Sequence, residues 1–153
     1  MTPETNGKGN NSVRDEWETP GWLFDLLTDQ YGFEFDCCAK KNNTKCYNYS
    51  SDFEAIKLIQ SVAWMNPPFS KAQKMFTHFF KVVNEGIAIY RCDNLETYLW
   101  QQTILPSASW IFLFGYRINY KGSDGSGARF PSALIGTGLP SPKLLEGTPM
   151  KKY

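Results

Sequence analysis

Apolar and polar residues follow one another along the chain in blocks that predict helices alternating with short strands. The first block predicts a helix from Pro20 to about Gln30, because its apolar residues crowd one side. Thr19 is the predicted N-cap, Pro20 takes the first helical position, and Gly32 ends the helix. Residues 33–39 alternate and then become fully apolar, which is typical of a buried strand. The remaining predicted elements are a helical turn at 54–60, a strand at 62–65, a helix at 71–84, a strand at 87–91, a helix at 95–105, and strands at 110–114, 117–120 and 132–135.

This order of elements indicates an α/β fold with a mostly parallel sheet and, from the closely spaced last strands, an antiparallel edge. Residues 1–12 contain almost nothing apolar and predict a disordered tail. Prolines and glycines recur from Gly136 onward, and residues 139–153 are predicted to form an irregular C-terminal tail. Between these tails, residues 13–138 are predicted to form one domain. A chain of 153 residues, 42% of them hydrophobic, can bury one core.

The charge balance limits the classes of partner. Sixteen Lys and Arg against fifteen Asp and Glu give a net charge of +1, so any surface that binds nucleic acid must be local. The longest apolar stretch is far below the roughly 18–20 residues of a membrane span, and the N-terminus carries no apolar signal segment. We therefore expect a cytoplasmic protein that does not bind a membrane.

The four cysteines predict neither a metal site nor a disulfide framework. Cys37 and Cys38 are adjacent, no pair has the spacing C-x-x-C, and His78 is the only histidine. We expect reduced, mostly buried thiols and no bound metal.

The sharpest candidate for chemistry is Asn66-Pro67-Pro68-Phe69, which directly follows a predicted strand. Ligands bind at strand ends in open α/β sheets, and the two prolines leave carbonyls free to accept hydrogen bonds. Asn66 adds an amide and Phe69 adds a flat ring, so the segment suits a planar group that carries an NH2. The alternative is an ordinary loop with two prolines and a packed phenylalanine.

Four blocks of residues together resemble the phage-type DNA N6-adenine methyltransferases, the Dam-like family. In chain order they are Arg14-x-x-Trp17-Glu18-Thr19-Pro20-x-Trp22-Leu23-Phe24, then Phe33-x-Phe35-Asp36-x-Cys38-Ala39 with Asn43-x-Lys45-Cys46 and Tyr49, then Trp64-Met65-Asn66-Pro67-Pro68-Phe69, and last Phe112-Leu113-x-Gly115-x-Arg117-Ile118-x-Tyr120 with Phe130-Pro131-Ser132-Ala133. Their order and spacing carry the resemblance, which spans about residues 13–138. The chain departs from the family at Phe69, where the family usually has Tyr, in a shortened stretch between Asp52 and Val62, and at the strand end Ile135-Gly136-Thr137-Gly138.

The resemblance implies a minimal, single-domain, Rossmann-like fold of the S-adenosylmethionine-dependent methyltransferases. It implies a site-specific enzyme that methylates the N6 amine of adenine in DNA, with S-adenosylmethionine as cofactor and DNA as partner. Phage or prophage origin, action in a bacterium or infected host cell, and protection of DNA from restriction belong to the same implication. Two alternatives stay open: a catalytically weak module that binds DNA or a protein, and methylation of another amino substrate.

The resemblance also assigns site residues. Asn66, Pro67, Pro68 and Phe69 become catalytic: Asn66 and the Pro67 carbonyl accept the N–H groups of the amine, and Phe69 stacks on a flipped adenine. The expected cofactor-binding residues are Trp17, Thr19, Pro20, Asp36, Cys37, Cys38, Asp52 and Asn66. The expected DNA-binding residues are Arg14, Lys71, Lys74, Arg117, Lys121 and Arg129.

Each of these assignments has a plainer alternative. Asp36 could be a structural acid paired with Lys40, Lys41 or Arg14, because an unpaired buried carboxylate is costly. The Thr-Pro pair could be only a helix start, Trp17 a core residue and Asp52 a solvated loop acid. The basic residues could lie on merely solvated surfaces.

Overall fold

The computed structural model describes residues 15–123 and 130–143 and the backbone of 150–152, and in this part of the chain seven strands form one sheet. The strands are β1 (Phe35–Asp36), β2 (Asn48–Tyr49), β3 (Ala63–Met65), β4 (Gly86–Arg91), β5 (Trp110–Phe114), β6 (Ser132–Thr137) and β7 (Met150–Lys152). The helices are α1 (Gly21–Tyr31), α2 (Ala72–Val82), a π-helix (Leu99–Ile104) and the short α3 (Leu105–Ser107) that continues it, and 3-10 turns lie at Phe53–Ala55 and Phe69–Lys71.

The sheet has the order β2-β1-β3-β4-β6-β5-β7 and joins a parallel half to an antiparallel half. Strands β2, β1, β3 and β4 pair in parallel, whereas β6 is antiparallel to β4 and to β5, and β7 is antiparallel to β5. Strands β1 to β5 therefore run in one direction, which confirms the predicted α/β class with an antiparallel edge. Because parallel strands end at the same edge, the chain leaves β1 and β3 side by side.

Helices α1 and α2 cover opposite faces of the sheet. Trp64 on β3 packs against Phe24 of α1 with ring centroids 5.7 Å apart, and Tyr90 on β4 packs against Phe76 of α2 at 5.4 Å. Trp64 pairs with Ile87, an odd number of positions before Tyr90, so the two rings point to opposite faces. Strand β3 is fully buried, as expected where both faces are covered.

The predicted first helix is confirmed at its end and corrected at its start. Gly32 terminates α1 in the left-handed region, at φ 69°, and its N–H bonds to the Thr28 carbonyl. Pro20, not Thr19, holds the N-cap position, and no side chain caps the helix. The Thr19 hydroxyl instead accepts a hydrogen bond from Asn66, which removes it from the helix end.

Two predicted strands are shorter or missing. The strand expected at 33–39 is reduced to β1, because single hydrogen bonds from Cys37 to Trp64 and from Ala39 to Ser50 replace the regular ladder. Residues 117–120 form no strand in the described chain. Ile118 and Tyr120 are buried as an alternating pattern requires, but the backbone pairs only through Lys121, with Glu18.

The spacing in residues 95–105 predicts an α-helix with one apolar side, formed by Leu95, Tyr98, Leu99, Gln102 and Leu105. The observed helix begins later and shows another face to the core. Leu99, Trp100 and Ile104 are its buried residues, whereas Leu95, Tyr98 and Leu105 are exposed. A π-helix has more residues per turn than an α-helix, because its hydrogen bonds join residues five apart. An α-helical period therefore predicts the wrong buried side for this segment. No helix in the described ranges is long and apolar enough to cross a bilayer, and α1 and α2 have 11 residues each.

The C-terminal tail contains more structure than predicted. Residues 139–153 were expected to be irregular throughout, but β7 pairs with β5, with Phe112 opposite Lys152 and Phe114 opposite Met150. The tail also returns to α1, since the Lys143 amide donates to Gln30 Oε1 and the Tyr31 hydroxyl donates to the Pro140 carbonyl. The disordered tail predicted for residues 1–12 lies outside the described residues.

Gly136 is expected to be indispensable to packing at the antiparallel edge. It lies opposite Trp110, and a Cβ at this position would meet Trp110 Cε2 at 2.1 Å. The indole cannot swing away freely because its N–H donates to the Leu139 carbonyl at 2.7 Å. We expect Gly136→Ala to lower the free energy of unfolding by about 1–3 kcal/mol, measured by thermal or urea unfolding.

Gly21→Ala is the matched control for this substitution. No atom lies within 4 Å of a Cβ at Gly21, so its melting temperature should equal or exceed that of the parent. Equal stability of the two variants would contradict the steric account of Gly136.

Candidate active site

A cavity of about 330 Å³ opens where β1 and β3 leave the sheet. This volume lies in the range of about 300–1,000 Å³ that small-molecule sites occupy. The residues on its wall are Asp15, Glu16, Trp17, Glu18, Thr19, Asp36, Cys37, Cys38, Ala39, Lys40, Asn43, Lys45, Ser51, Asp52, Phe53, Glu54, Trp64, Asn66, Pro68, Lys71 and Met75. The wall thus brings together most of the expected cofactor-binding residues, although they are far apart in the chain.

Asn66 is fixed by two hydrogen bonds to the segment that precedes α1. Its Nδ2 donates to the Trp17 carbonyl at 3.4 Å and to the Thr19 hydroxyl at 3.2 Å. Both N–H groups of the amide are therefore engaged, and the carbonyl oxygen Oδ1 is left as the acceptor that the side chain offers at the cavity.

Residues 15–19, here called the strap, line one part of the cavity wall and are bound to other parts of the chain. Asp15 accepts hydrogen bonds from the backbone N–H and hydroxyl of Ser70. Glu16 forms an ion pair with Lys40 at 3.6 Å, and Glu18 forms one with Lys45 at 3.9 Å. The Lys40 and Glu16 side chains are largely exposed, so the hydrogen bonds of Asp15 and Asn66 hold the strap more firmly than that ion pair does.

Asp36 is a carboxyl group buried at the end of β1, with 3% of its surface exposed. The Lys45 backbone N–H donates to Oδ2 at 2.9 Å, while Oδ1 has no hydrogen-bond partner in the described chain. Burial raises the pKa of this carboxyl from 3.8 to about 6, partly offset by the amide dipoles of Lys45 and Cys38 and by the Lys45 charge. Asp36 is therefore a cavity acid that lacks one of its partners.

The expected structural partners of Asp36 are corrected by this geometry. Neither Lys40 nor Lys41 forms an ion pair with it in the described residues, since the ion-pair partner of Lys40 is Glu16. Lys45, which stands in the second block of the resemblance, supplies both the amide that binds Asp36 and a positive charge that lowers its pKa. Arg14 lies outside the described chain.

Acidic side chains outnumber basic side chains on the cavity wall. The acids are Asp15, Glu16, Glu18, Asp36, Asp52 and Glu54, and the basic residues are Lys40, Lys45 and Lys71. An apolar part of the wall comes from Cys37 and Cys38, whose thiol pKa values burial raises above their ordinary value, so both thiols stay neutral. The wall as a whole favours a ligand that carries positive charge.

The segment after β3 divides between the cavity and the core. Asn66 and Pro68 lie on the cavity wall, whereas Pro67 and Phe69 do not. The Phe69 ring is 8% exposed and packs edge-on against Phe130 at 5.4 Å and Tyr90 at 5.6 Å. These contacts are the ones expected if Phe69 is only a packed core residue. A stacking role in addition requires that a base contact one face of the same ring.

Trp17 belongs to both the cavity and the core. It lines the cavity, and its indole stacks on Tyr120 at 5.9 Å and on Phe130 at 6.4 Å. Pro20, expected among the cofactor-binding residues, is buried off the wall, at the N-cap of α1.

The predicted DNA-binding residues fall into three groups. Lys71 is exposed on the cavity rim, and Lys74 is exposed close by in α2. Arg117 and Lys121 are exposed in the loop after β5. Arg14 and Arg129 lie outside the described residues.

Several residues of the cavity wall were not predicted from the sequence. Glu16 and Glu18 flank Trp17 in the first block of the resemblance, and Lys45 stands in the second block, so their positions were a usable signal for the site. Phe53, Glu54 and Met75 had no such signal. In the described part of the chain no three His, Cys, Asp or Glu side chains are grouped to hold a metal ion.

The chain is similar to a known family and to a known protein. The family model described as DNA N-6-adenine-methyltransferase (Dam) matches residues 6–101, more than half of the chain. An uncharacterized transcriptional regulatory protein of Schizosaccharomyces pombe is 30% identical over 98 residues, which are 63% of this chain. The matched segment spans only 16% of that much longer protein.

The buried carboxyl of Asp36 should make stability depend on pH. Its native pKa of about 6 exceeds the ordinary 3.8, so the native state holds a proton that the unfolded state has lost between these values. The contribution of Asp36 to stability therefore falls as pH rises through this window, and the full penalty is present above it. We expect Asp36→Asn to melt higher than the parent above the window and to converge with it below the window.

The measurement is thermal unfolding across this pH range without ligand. Asp52→Asn is the control, because Asp52 lines the same cavity but is exposed. An Asp36→Asn variant whose melting differs from the parent by the same amount at every pH would show that burial does not perturb this carboxyl.

Proposed function

The chain belongs to the DNA N-6-adenine-methyltransferase (Dam) family, and on that premise we propose that it transfers a methyl group from S-adenosylmethionine to the N6 amine of adenine in DNA. The observation that carries the proposal is the amide of Asn66, oriented by Trp17 and Thr19 beside a cavity that holds a buried acid. The proposal includes a phage or prophage origin, a cytoplasmic place of action and protection of DNA from restriction, which rest on the family resemblance.

The cavity fits S-adenosylmethionine by size, charge and unfilled hydrogen bonding. Its volume of about 330 Å³ suits a small-molecule ligand, and its acidic wall suits a cation. Asp36 Oδ1, buried without a partner in the described chain, would accept from an amino or hydroxyl group of the cofactor. Trp17, Thr19, Asp36, Cys37, Cys38, Asp52 and Asn66 would hold it, with Pro20 acting through the start of α1.

When bound, S-adenosylmethionine supplies a methyl group on a positively charged sulfonium. The residues of this chain have to orient the amine that receives it, because the amine lone pair is delocalised into the adenine ring. Asn66 Oδ1 would accept one N–H of the amine. The Pro68 carbonyl already accepts a hydrogen bond from the Lys71 amide at 3.0 Å. Of the two prolines, Pro67 therefore has the carbonyl that would accept the second N–H of the adenine amine. Both acceptors draw the nitrogen lone pair out of the ring plane and aim it.

The position of Asn66 at a cavity wall requires the adenine to leave the DNA stack. An amine inside a duplex cannot reach a partly buried side chain, so we propose that the base is flipped out, with Phe69 facing its ring. Lys71 and Lys74, near the catalytic segment, would bind the flanking phosphates, and Arg117, Lys121, Arg14 and Arg129 would bind phosphates further away.

A module that binds DNA or protein without turnover is the second candidate. The observation that favours it is the similarity to part of a protein whose name calls it a transcriptional regulatory protein. Incubation with methyl-labelled S-adenosylmethionine and unmethylated DNA, followed by identification of the modified nucleoside, separates the candidates. N6-methyladenine supports the proposal. Label in another base or in protein supports another amino substrate, and DNA binding without label supports the module.

Protection from restriction is testable on the same DNA. Plasmid from cells that express the protein should resist endonucleases whose cleavage adenine methylation blocks. Plasmid from cells that express an inactive Asn66→Ala variant should be cut.

Asn66→Ala should lower the transfer rate far more than it weakens cofactor binding, to which six other residues of the cavity wall would contribute. The substitution removes an acceptor for the reacting amine, and the loss of one such contact lowers the rate on the order of 100- to 1000-fold. The measurements are single-turnover transfer and calorimetric titration with S-adenosylhomocysteine. Thr19→Val removes only the hydroxyl that orients the amide and should lower the rate less. A rate within a few-fold of the parent in Asn66→Ala would remove Asn66 from the mechanism.

Phe69→Leu should separate stacking on a base from packing in the core. Leucine keeps most of the apolar volume against Tyr90 and Phe130 but has no flat face. If Phe69 faces the base, Phe69→Leu should lose much of its transfer rate with a small change in melting temperature, and Phe69→Tyr should stay active.

Phe69→Ala completes this comparison, since truncation of a buried phenylalanine costs about 3–5 kcal/mol of stability in either case. A Phe69→Leu variant with the parent's rate would assign Phe69 to the core alone. A mismatch opposite the target adenine should tighten DNA binding by the parent, because unpairing then costs less.

A further inference from the structure

Trp22 and Tyr116 form an exposed aromatic pair. Their ring centroids are 6.3 Å apart with an interplanar angle of 18°, and the two residues are 43% and 37% exposed. Trp22 lies in the first turn of α1, whose buried residues are Leu23, Phe24 and Leu27. Trp22 instead packs on another ring at the surface.

The pair stands at the edge of the sheet that carries the candidate active site. Trp22 lies three residues after Thr19, the last residue of the strap, which accepts a hydrogen bond from Asn66. Tyr116 follows β5 in a loop that is joined to the strap by reciprocal backbone hydrogen bonds of 2.9 Å between Glu18 and Lys121. Strap and loop therefore form one surface that runs from Asn66 to the aromatic pair.

The charge of this surface changes sign away from the cavity. Acidic side chains outnumber basic ones on the cavity wall. The loop after β5 instead exposes two basic residues, Lys121 and Arg117, and Arg117 is next to Tyr116. Flat rings beside basic side chains are the combination that binds single nucleic-acid strands, because every base has a face to stack and every nucleotide a phosphate. Two half-exposed rings are far smaller than the roughly 800 Å² per partner of a specific protein interface.

We propose that Trp22 and Tyr116 are a stacking platform for a base of the DNA near the target adenine. This inference rests on the proposed function and adds to it a contact outside the cavity. The platform would hold an unpaired base with little sequence preference, while Arg117 and Lys121 neutralise the neighbouring phosphates.

The test measures DNA affinity in variants that lack one ring. Trp22→Ala and Tyr116→Ala should bind a fluorescein-labelled, mixed-sequence DNA with an unpaired segment roughly 5- to 150-fold more weakly, as expected for loss of one base–ring stack. Trp22→Phe and Tyr116→Phe keep a ring and should bind within a few-fold of the parent. Salt concentration stays fixed, because phosphate contacts depend on it.

Tyr98→Ala is the matched control. Tyr98 is 71% exposed but stands at the start of the π-helix that packs beside α2, and its loss should leave DNA affinity unchanged. Titration with S-adenosylhomocysteine and thermal melting should give parental values for all variants, which shows that cavity and fold are intact. Alanine variants that bind DNA as the parent does would overturn the platform.

The methyl-transfer assay on the same samples separates this inference from the proposed function. A parent that transfers methyl groups to DNA, with alanine variants that bind like it, refutes the platform alone. A parent that binds DNA through the two rings but transfers no methyl refutes the proposed function alone. A parent that binds no DNA refutes both.

Discussion

The two hydrogen bonds from Asn66 to the strap are the contacts on which the rest of the site depends. They join Trp17 and Thr19, which precede α1, to Asn66 at the end of β3, 49 and 47 residues further along. Because they take both amide N–H groups, they fix which atom Asn66 presents, and they also bind the strap, which lines the cavity. The same contact draws Thr19 away from α1, so Pro20 takes the N-cap and the helix starts without a side-chain cap. The position of one amide thus sets the start of a helix, one part of the cavity wall and the acceptor that this wall offers.

The buried acid Asp36 shows that the site is held together at a cost. A buried polar atom without a hydrogen bond destabilises a protein by about 1–3 kcal/mol, and the raised pKa of Asp36 has the same origin. Its surroundings lessen the cost only partly: the Lys45 amide binds one oxygen, while the neighbouring Cys37 and Cys38 thiols are neutral and offer little. Removal of this cost requires an N–H or O–H donor at Oδ1, and Asp36 lies on a cavity wall where acidic side chains outnumber basic ones.

The sequence predicts those parts of the fold that depend on neighbours in the chain. Gly32 ends α1 because only a residue tolerant of a positive φ fits there, and residues 110–114 form the predicted strand with the predicted bounds. Much of what it misses depends on distant contacts. Trp22 stacks on Tyr116, which follows β5, and residues 117–120 form no strand because Lys121 pairs with Glu18. The face of the 95–105 helix has a local cause that an α-helical period does not capture, its π-helical turn. The cavity was predictable through its motif residues, among them Lys45, but the contact of Lys45 with Asp36 was not, because Lys45 donates through its backbone N–H, which every residue except proline possesses.

The sheet edge that carries the cavity has two chemically different halves. The parallel half ends in the acidic cavity beside β1 and β3, and the antiparallel half ends in the loop after β5, which carries exposed aromatic and basic side chains. Direct contact of a cationic ligand with a basic surface, or of a phosphate with an acidic wall, would be repulsive, so the two surfaces need a boundary. The strap is that boundary: its acids pair with Lys40 and Lys45 on the cavity side, and its backbone pairs with Lys121 on the other. Because Asn66 at the end of β3 binds the strap through Trp17 and Thr19, its amide lies at the boundary between the two surfaces.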